Sequence, residues 1–348
     1  MCVVVGCGRQ SDLQSVSGDI ARPRSRVGRY AAATIGGASF ADPDNLGTHG
    51  YGSGRKESNG IVYTCRGGHI DIAHVRKAVD WAAYLTARTR VTIAKGDVQF
   101  SFRPPEPARA FVALRYPENW AQLTPEERDR TGREVSVAVG QYVAFSGLIW
   151  HEMLTWFGYS AVAIYPDFPS AFAWEDIYSD LLGTRIGAAA LRDKDRPFDV
   201  AVTSILNEEL RRLGVESQKT AVRASREVRD RWYSGDFLFL VNMKKRNLDV
   251  GLDDGLVTPW LVPDFDPCPE AEPRSLPVPT LEVVTEHGFE LTFEIEPRVL
   301  QSGKILSVAY PDPERRGQRI EPAVHFPLLM EHIMRDAIKR YGPEVNVP

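Results

Sequence analysis

The chain of 348 residues is poor in cysteine. Cys2, Cys7, Cys65 and Cys268 are too few and too scattered for a disulfide framework or a paired Cys-x-x-Cys zinc site. Net charge is nearly absent as well. With 42 Lys and Arg against 46 Asp and Glu, the sum is −4, so the clustered basic excess that neutralises phosphates is missing and nucleic acid is not an expected partner. Long apolar runs are lacking too: the longest uncharged stretch, Val135 to Trp150, includes Ser136, Gln141 and Ser146. It falls short of the ~20 apolar residues of a membrane-spanning helix, so a buried helix fits better. No internal repeat is visible, which argues against a solenoid.

What is present is a globular composition, 43% hydrophobic and 25% charged, able to build a sizeable core in one large domain or two. Residues 1–45 read as an N-terminal tether or irregular entry segment and 46–348 as a single domain. The opening Met1 to Cys7 is similar to the end of a bacterial lipoprotein signal, with Val3 to Val5 and Gly6 ahead of a cysteine that would receive lipid. Six residues are too few for a complete signal. Either the start lies upstream of Met1 or the valines are an ordinary apolar scrap.

Apolar spacing predicts a helix from Asp71 to Thr86, then strands over Val91 to Phe102 and Ala110 to Arg115 around Pro104-Pro105-Glu106-Pro107. Thr124-Pro125-Glu126-Glu127 is a helix start, with Thr as N-cap, Pro at the first position and Glu at the third. Its helix should run to Phe157 and stop at Gly158, with a break at Gly132 or Gly140 as an alternative. Further helices are expected over 174–183, 198–213, 219–233 and 327–341, a long loop over 247–279, and a two-stranded ribbon over 281–295 turning at His287-Gly288. Strands and helices do not alternate, so the fold class is α+β, a helix-rich core with peripheral antiparallel hairpins.

Chemistry is suggested where the apolar run ending at Trp150 meets His151-Glu152. An ionisable pair buried there costs several kcal/mol unless a partner, a metal or an aqueous cleft compensates. One reading makes the pair the point where the helix surfaces. The other makes His151 a metal ligand and Glu152 the general base on a metal-bound water, as in His-Glu-x-x-His zinc hydrolases, although Thr155 stands where the second histidine would be. The stretch Cys65 to His74 adds candidate ligands in His69 and His74, with Asp71 three residues before His74 on the same helix face. Cys65, ahead of Gly67-Gly68 and a helix start, is a candidate nucleophile with His69 or His74 as its base, or else a small buried hydrophobe. His49 either reaches a cleft from its loop or decorates one. Lys244-Lys245-Arg246 reads as solvated surface.

The segment Asp176-Ile177-Tyr178-Ser179-Asp180-Leu181-Leu182-Gly183 resembles the glutamate helix of thermolysin-like gluzincins. That resemblance implies a ligand role for Glu175 or Asp176 and a supporting role for Asp180, which would hydrogen-bond the first histidine. Tyr63 to Asp71 with His74 and Arg76, Trp150-His151-Glu152, and Glu175 to Gly183 together resemble a bacterial family, domain of unknown function 4056, from about Asn45 to the C-terminal helix. The resemblance implies an envelope protein with a lipoprotein-like N-terminus. The combined expectation is a zinc-dependent hydrolase of amide or ester bonds acting on a peptide or envelope component. It would reside in the periplasm or on the outer membrane, anchored through Cys7, with the cytoplasm as the alternative. Its rivals are an acyl hydrolase or transferase using Cys65 and a non-catalytic lipoprotein that binds a ligand or partner.

Overall fold

The tight turn between β1 (Ile61–Thr64) and β2 (Gly68–Asp71) holds Gly68 at φ +63 and presses it against the chain near Trp260, where a Cβ would lie 2.1 Å from the Trp260 carbonyl oxygen. In this computed structural model the described residues are 20–33, 39–52, 56–159, 170–235 and 241–348. Asp71 then caps α1 (Ile72–Lys95) by accepting from the Ala73 N–H at 2.7 Å, and Gly96 at φ +72 ends it. The helix outruns the expected Thr86 because Val91 to Lys95, read as strand, continue its pattern. It is buried along most of its length and on nearly every face, the mark of a central helix.

The antiparallel hairpin of β3 (Gln99–Phe102) and β4 (Ala108–Arg115) follows. Next comes α2 (Pro125–Trp156), opened by the Thr124/Glu127 capping box and unbroken at Gly132 and Gly140. Then come α3 (Asp176–Arg192), α4 (Phe198–Arg212) and α5 (Gln218–Glu227). Two-residue ribbons pair β5 (Tyr233–Ser234) with β6 (Asn242–Met243), and β7 (Leu256–Val257) with β8 (Leu276–Pro277). The ribbon expected over 281–295 is instead a short helix, α6 (Glu282–Glu286), and a strand, β9 (Glu290–Pro297). β9 pairs with distant β4 over eight residues to complete a three-stranded antiparallel sheet. The described chain closes with α7 (Ser302–Ala309) and α8 (Pro322–Tyr341). Among the described residues, eight α-helices with small antiparallel sheets make this an α+β fold.

Small residues let α2 and α3 approach α1 closely. A Cβ on Gly140 of α2 would meet Thr86 Oγ1 at 2.1 Å, and one on Gly183 of α3 would meet the Val75 carbonyl oxygen at 2.2 Å. Those crossings bring the polar ends of all three helices together. A second core packs Tyr63, Trp174, Trp232, Tyr233, Trp260 and Phe265 around α5. There Cys65 and Cys268, 203 residues apart, form a disulfide that ties the long loop to the first hairpin.

Residues 20–33, expected to be part of a tether, are irregular in backbone yet laid into the domain. Arg26 forms a two-pronged ion pair with Glu57 at 2.8 and 2.9 Å and a second pair with Asp80 at 2.5 Å. His49 is buried in the same network, 3.1 Å from Asp80 Oδ1, so it braces this strap rather than reaching a cleft. Arg246, read as surface, is buried between the rings of Trp156 and Tyr341.

Candidate active site

A cleft of about 270 Å³ opens beside the junction of α1, α2 and α3. Trp81, Leu85, Phe102, Val143, Leu148 and Phe293 give it an apolar wall, and its polar lining includes His74, Lys77, Glu106 and His151. Glu106 is held between Pro105 and Pro107 in the β3–β4 connection, and its Oε1 lies 2.7 Å from Nδ1 of His151 on α2. Burial alone would lower the His151 imidazole, but the Glu106 carboxylate overcomes it and raises the ring above its ordinary value, with Glu152 adding and Lys77 opposing. Burial likewise raises Glu106, and the partnership with His151 reverses this and brings it below the usual range. A carboxylate-oriented imidazole with 31% of its side chain exposed in an apolar cleft is equipped to move a proton.

Behind the pair stand two helix faces. His74 and Lys77, three apart, share one face of α1, and Asp176 and Asp180, four apart, share one face of α3. His74 Nδ1 lies 3.3 Å from Asp176 Oδ1 and 3.8 Å from Asp180 Oδ1, and Lys77 Nζ lies 3.8 Å from Asp180 Oδ1. Burial pushes Asp180 up to about 7 and Asp176 well above the carboxylate range, and it drives His74 well below its ordinary value. Lys77 would also fall on burial, but Asp180, Glu152, Asp176 and Glu106 raise it, so it stays an ammonium.

Three further acids are held by backbone N–H groups of irregular segments. Asp71 accepts from Arg29 at 2.6 Å as well as from Ala73, and Glu175 accepts from Ala31 at 2.9 Å. Glu152 accepts at 2.7 Å from Phe172, whose φ of 55 is a left-handed conformation that a bulky residue adopts only under constraint. Burial raises Asp71 to about 6 and Glu175 to about 8.

Of the expected site residues, the structure brings His74 together with Asp176 and Asp180, and it places His151 in the same cleft against Glu106. Several expectations change. Cys65 is no free nucleophile, because its sulfur is bonded to Cys268. His69 is no ligand of this site: it is buried in the second core, where Nδ1 accepts from the Trp174 indole at 3.2 Å and burial holds it neutral, down to about 3. Glu152 and Glu175 each engage a backbone donor, Asp71 is a helix cap, and Asp180 faces His74 and Lys77 rather than supporting His151. Thr155 bonds back to its own helix at the His151 carbonyl. Cys7 lies outside the described residues.

Glu106 and Lys77 were missing from the sequence-based site. Glu106 sits among prolines with no periodic signal, although a lone acid amid three prolines is itself a cue, and Lys77 reads as one more charge on a helix. Among the described residues, the one trio of His, Cys, Asp or Glu with all donor atoms within 4.8 Å is Cys65, Glu216 and Cys268, whose thiols are spent in the disulfide. No described helix is long and apolar enough to cross a membrane.

No curated protein and no solved structure matches the chain, and nothing in these comparisons supports the gluzincin resemblance. A family described as protein of unknown function, DUF4056, matches residues 3–239, about two thirds of the chain, and the protein belongs to that family.

Proposed function

We propose that the cleft hydrolyses an amide or ester bond adjacent to an apolar group, with His151 as general base. The observation that carries this reading is the 2.7 Å pairing of His151 Nδ1 with Glu106 on the wall of an apolar cleft that Lys77 also lines. Glu106 fixes the ring's orientation and strengthens it as a base. Neutral His151 takes a proton from water as the water oxygen bonds to the substrate carbonyl carbon. The Lys77 ammonium favours the negative oxygen that develops. On collapse, the C–N or C–O bond breaks and the proton on His151 passes to the leaving nitrogen or oxygen, so water is the sole co-reactant.

The Cys65–Cys268 disulfide supports an oxidising compartment such as the cell envelope, where a peptide or an envelope component would be the substrate. Lipid attachment at Cys7 rests on sequence alone and is tested by lipid labelling of wild type against Cys7→Ser.

The hydrolase reading is tested with a panel of nitrophenyl esters and nitroanilides bearing aliphatic and aromatic acyl groups. Wild type should release product from at least one apolar member, and His151→Gln should lower kcat by roughly 10²–10⁴-fold. Absence of turnover across the panel, or His151→Gln matching wild type, would contradict the proposal.

A further inference from the structure

We infer that the deep end of the cleft is a site for a first-row divalent cation such as zinc or manganese, held by His74 Nδ1 and the carboxylates of Asp176 and Asp180. This deepens the hydrolase reading, on which its catalytic meaning rests, while the binding itself can be tested separately.

The first observation is spacing. Around a tetrahedral ion with bonds of about 2.1 Å, neighbouring donors stand roughly 3.4 Å apart. His74 Nδ1 lies 3.3 Å from Asp176 Oδ1 and 3.8 Å from Asp180 Oδ1. The trio is not closed to within 4.8 Å on every side, so the aspartates flank the imidazole nitrogen and a cation would draw them inward.

The second observation is independent of spacing. Asp180 is fully buried, yet neither carboxylate oxygen has a hydrogen-bond partner, and the buried Glu175 Oε2 has none either. Buried polar atoms without partners are rare in folded proteins because each costs on the order of 1–3 kcal/mol, and more when charged. Lys77 Nζ, at 3.8 Å, is too distant to hydrogen-bond Asp180.

The third is the charge count. Six buried carboxylates, Asp71, Glu106, Glu152, Glu175, Asp176 and Asp180, face Lys77 and His151. Glu106 is matched by His151, and Asp71, Glu152, Glu175 and Asp176 each accept from a backbone N–H, Asp176 from Ala173 at 3.2 Å. Asp180 is the acid left without a donor, with Lys77 Nζ 3.8 Å away, and it lies beside the His74 imidazole. Imidazole with carboxylates is a donor set suited to zinc, manganese or iron.

The test uses the full, disulfide-bonded chain stripped with a chelator and freed of any histidine tag. Co²⁺ is titrated by visible absorption and Zn²⁺ by calorimetry, in wild type, Asp180→Asn and His74→Gln. We expect one ion per chain in wild type and binding weakened more than about tenfold in each variant that folds. His74→Gln, at the cleft surface, stands in should Asp180→Asn fail to fold. Wild-type protein that shows no saturable uptake, or variants that bind as wild type does, would overturn the cation site. Hydrolysis persisting without cation binding would overturn the cation site alone. Cation binding that depends on these residues in a protein without hydrolysis upholds the cation site and overturns the hydrolase reading.

Discussion

Replacing Gly183 by alanine tests the helix junction on which the cleft depends. An added Cβ would stand 2.2 Å from the Val75 carbonyl oxygen, 2.7 Å from Ala78 Cβ and 2.9 Å from the Val75 carbonyl carbon. These are atoms of α1 itself, so no flexible side chain can swing aside and α3 must retreat. Overpacking of this kind costs about 1–3 kcal/mol and occasionally more. Alanine returns about 1 kcal/mol through its better helix propensity. The net expectation is a loss of up to about 2 kcal/mol. Gly147 of α2 makes a matched control, because no atom lies within 4 Å of its would-be Cβ. There the same substitution should stabilise by about 0.5–1 kcal/mol. Urea unfolding at unchanged m-value reads both effects as midpoint shifts of opposite sign. If Gly183→Ala raised the midpoint as Gly147→Ala does, the close α1–α3 crossing that places Asp176 and Asp180 against His74 would be refuted.

Acid should weaken the N-terminal strap. Burial alone would raise the Glu57 carboxyl, but the hydrogen bonds and charge of Arg26 bring it from 4.5 down to about 2. Because the folded value lies below the ordinary one, this contribution is complete above pH 4.5 and is lost as the pH falls towards 2. Between pH 6 and 3, wild type should lose about 2 kcal/mol more than Glu57→Gln in urea titrations, and equal losses would contradict the assignment. Reduction of the disulfide should lower the thermal midpoint. A crosslink between residues 203 apart contributes about 5 kcal/mol by chain entropy, with 2–4 kcal/mol typical. Cys65→Ser should melt like reduced wild type and ignore reductant, whereas a wild-type midpoint indifferent to reductant would contradict a stabilising bridge.

Local signals were legible where the responsible physics is local. The Thr124/Glu127 box opens α2 as read, and Gly214, at φ +73, follows α4 at its expected end. The turn at His287-Gly288 is real, but Leu281 to Glu286 could not be told from a strand because β9 finds its partner in β4, some 180 residues earlier. Long-range pairing leaves no local pattern, and for the same reason Cys65 gave no sign of Cys268. Within the site, the place of His74 on α1 was readable from apolar spacing, whereas Asp176 and Asp180 were singled out by a resemblance that the comparisons do not support. The partner of His151 was not readable, because Glu106 arrives on a proline-rich connection whose course depends on the sheet. Gly140 was weighed as a helix break and the helix of Gly183 was expected to end there, whereas both glycines serve close approach, which only the packed neighbours reveal.

The pH dependence of kcat/KM for the best apolar substrate, in wild type and Glu106→Gln, bears most directly on the proton-transfer role of the His151–Glu106 pair. Neutral His151 is the active form and Glu106 raises its ionisation, against burial and Lys77 and with Glu152. The wild-type rate should therefore rise through an acid limb above the ordinary imidazole value. Glu106→Gln should move that limb to lower pH and lower the plateau. Superimposable profiles for the two proteins would contradict the account.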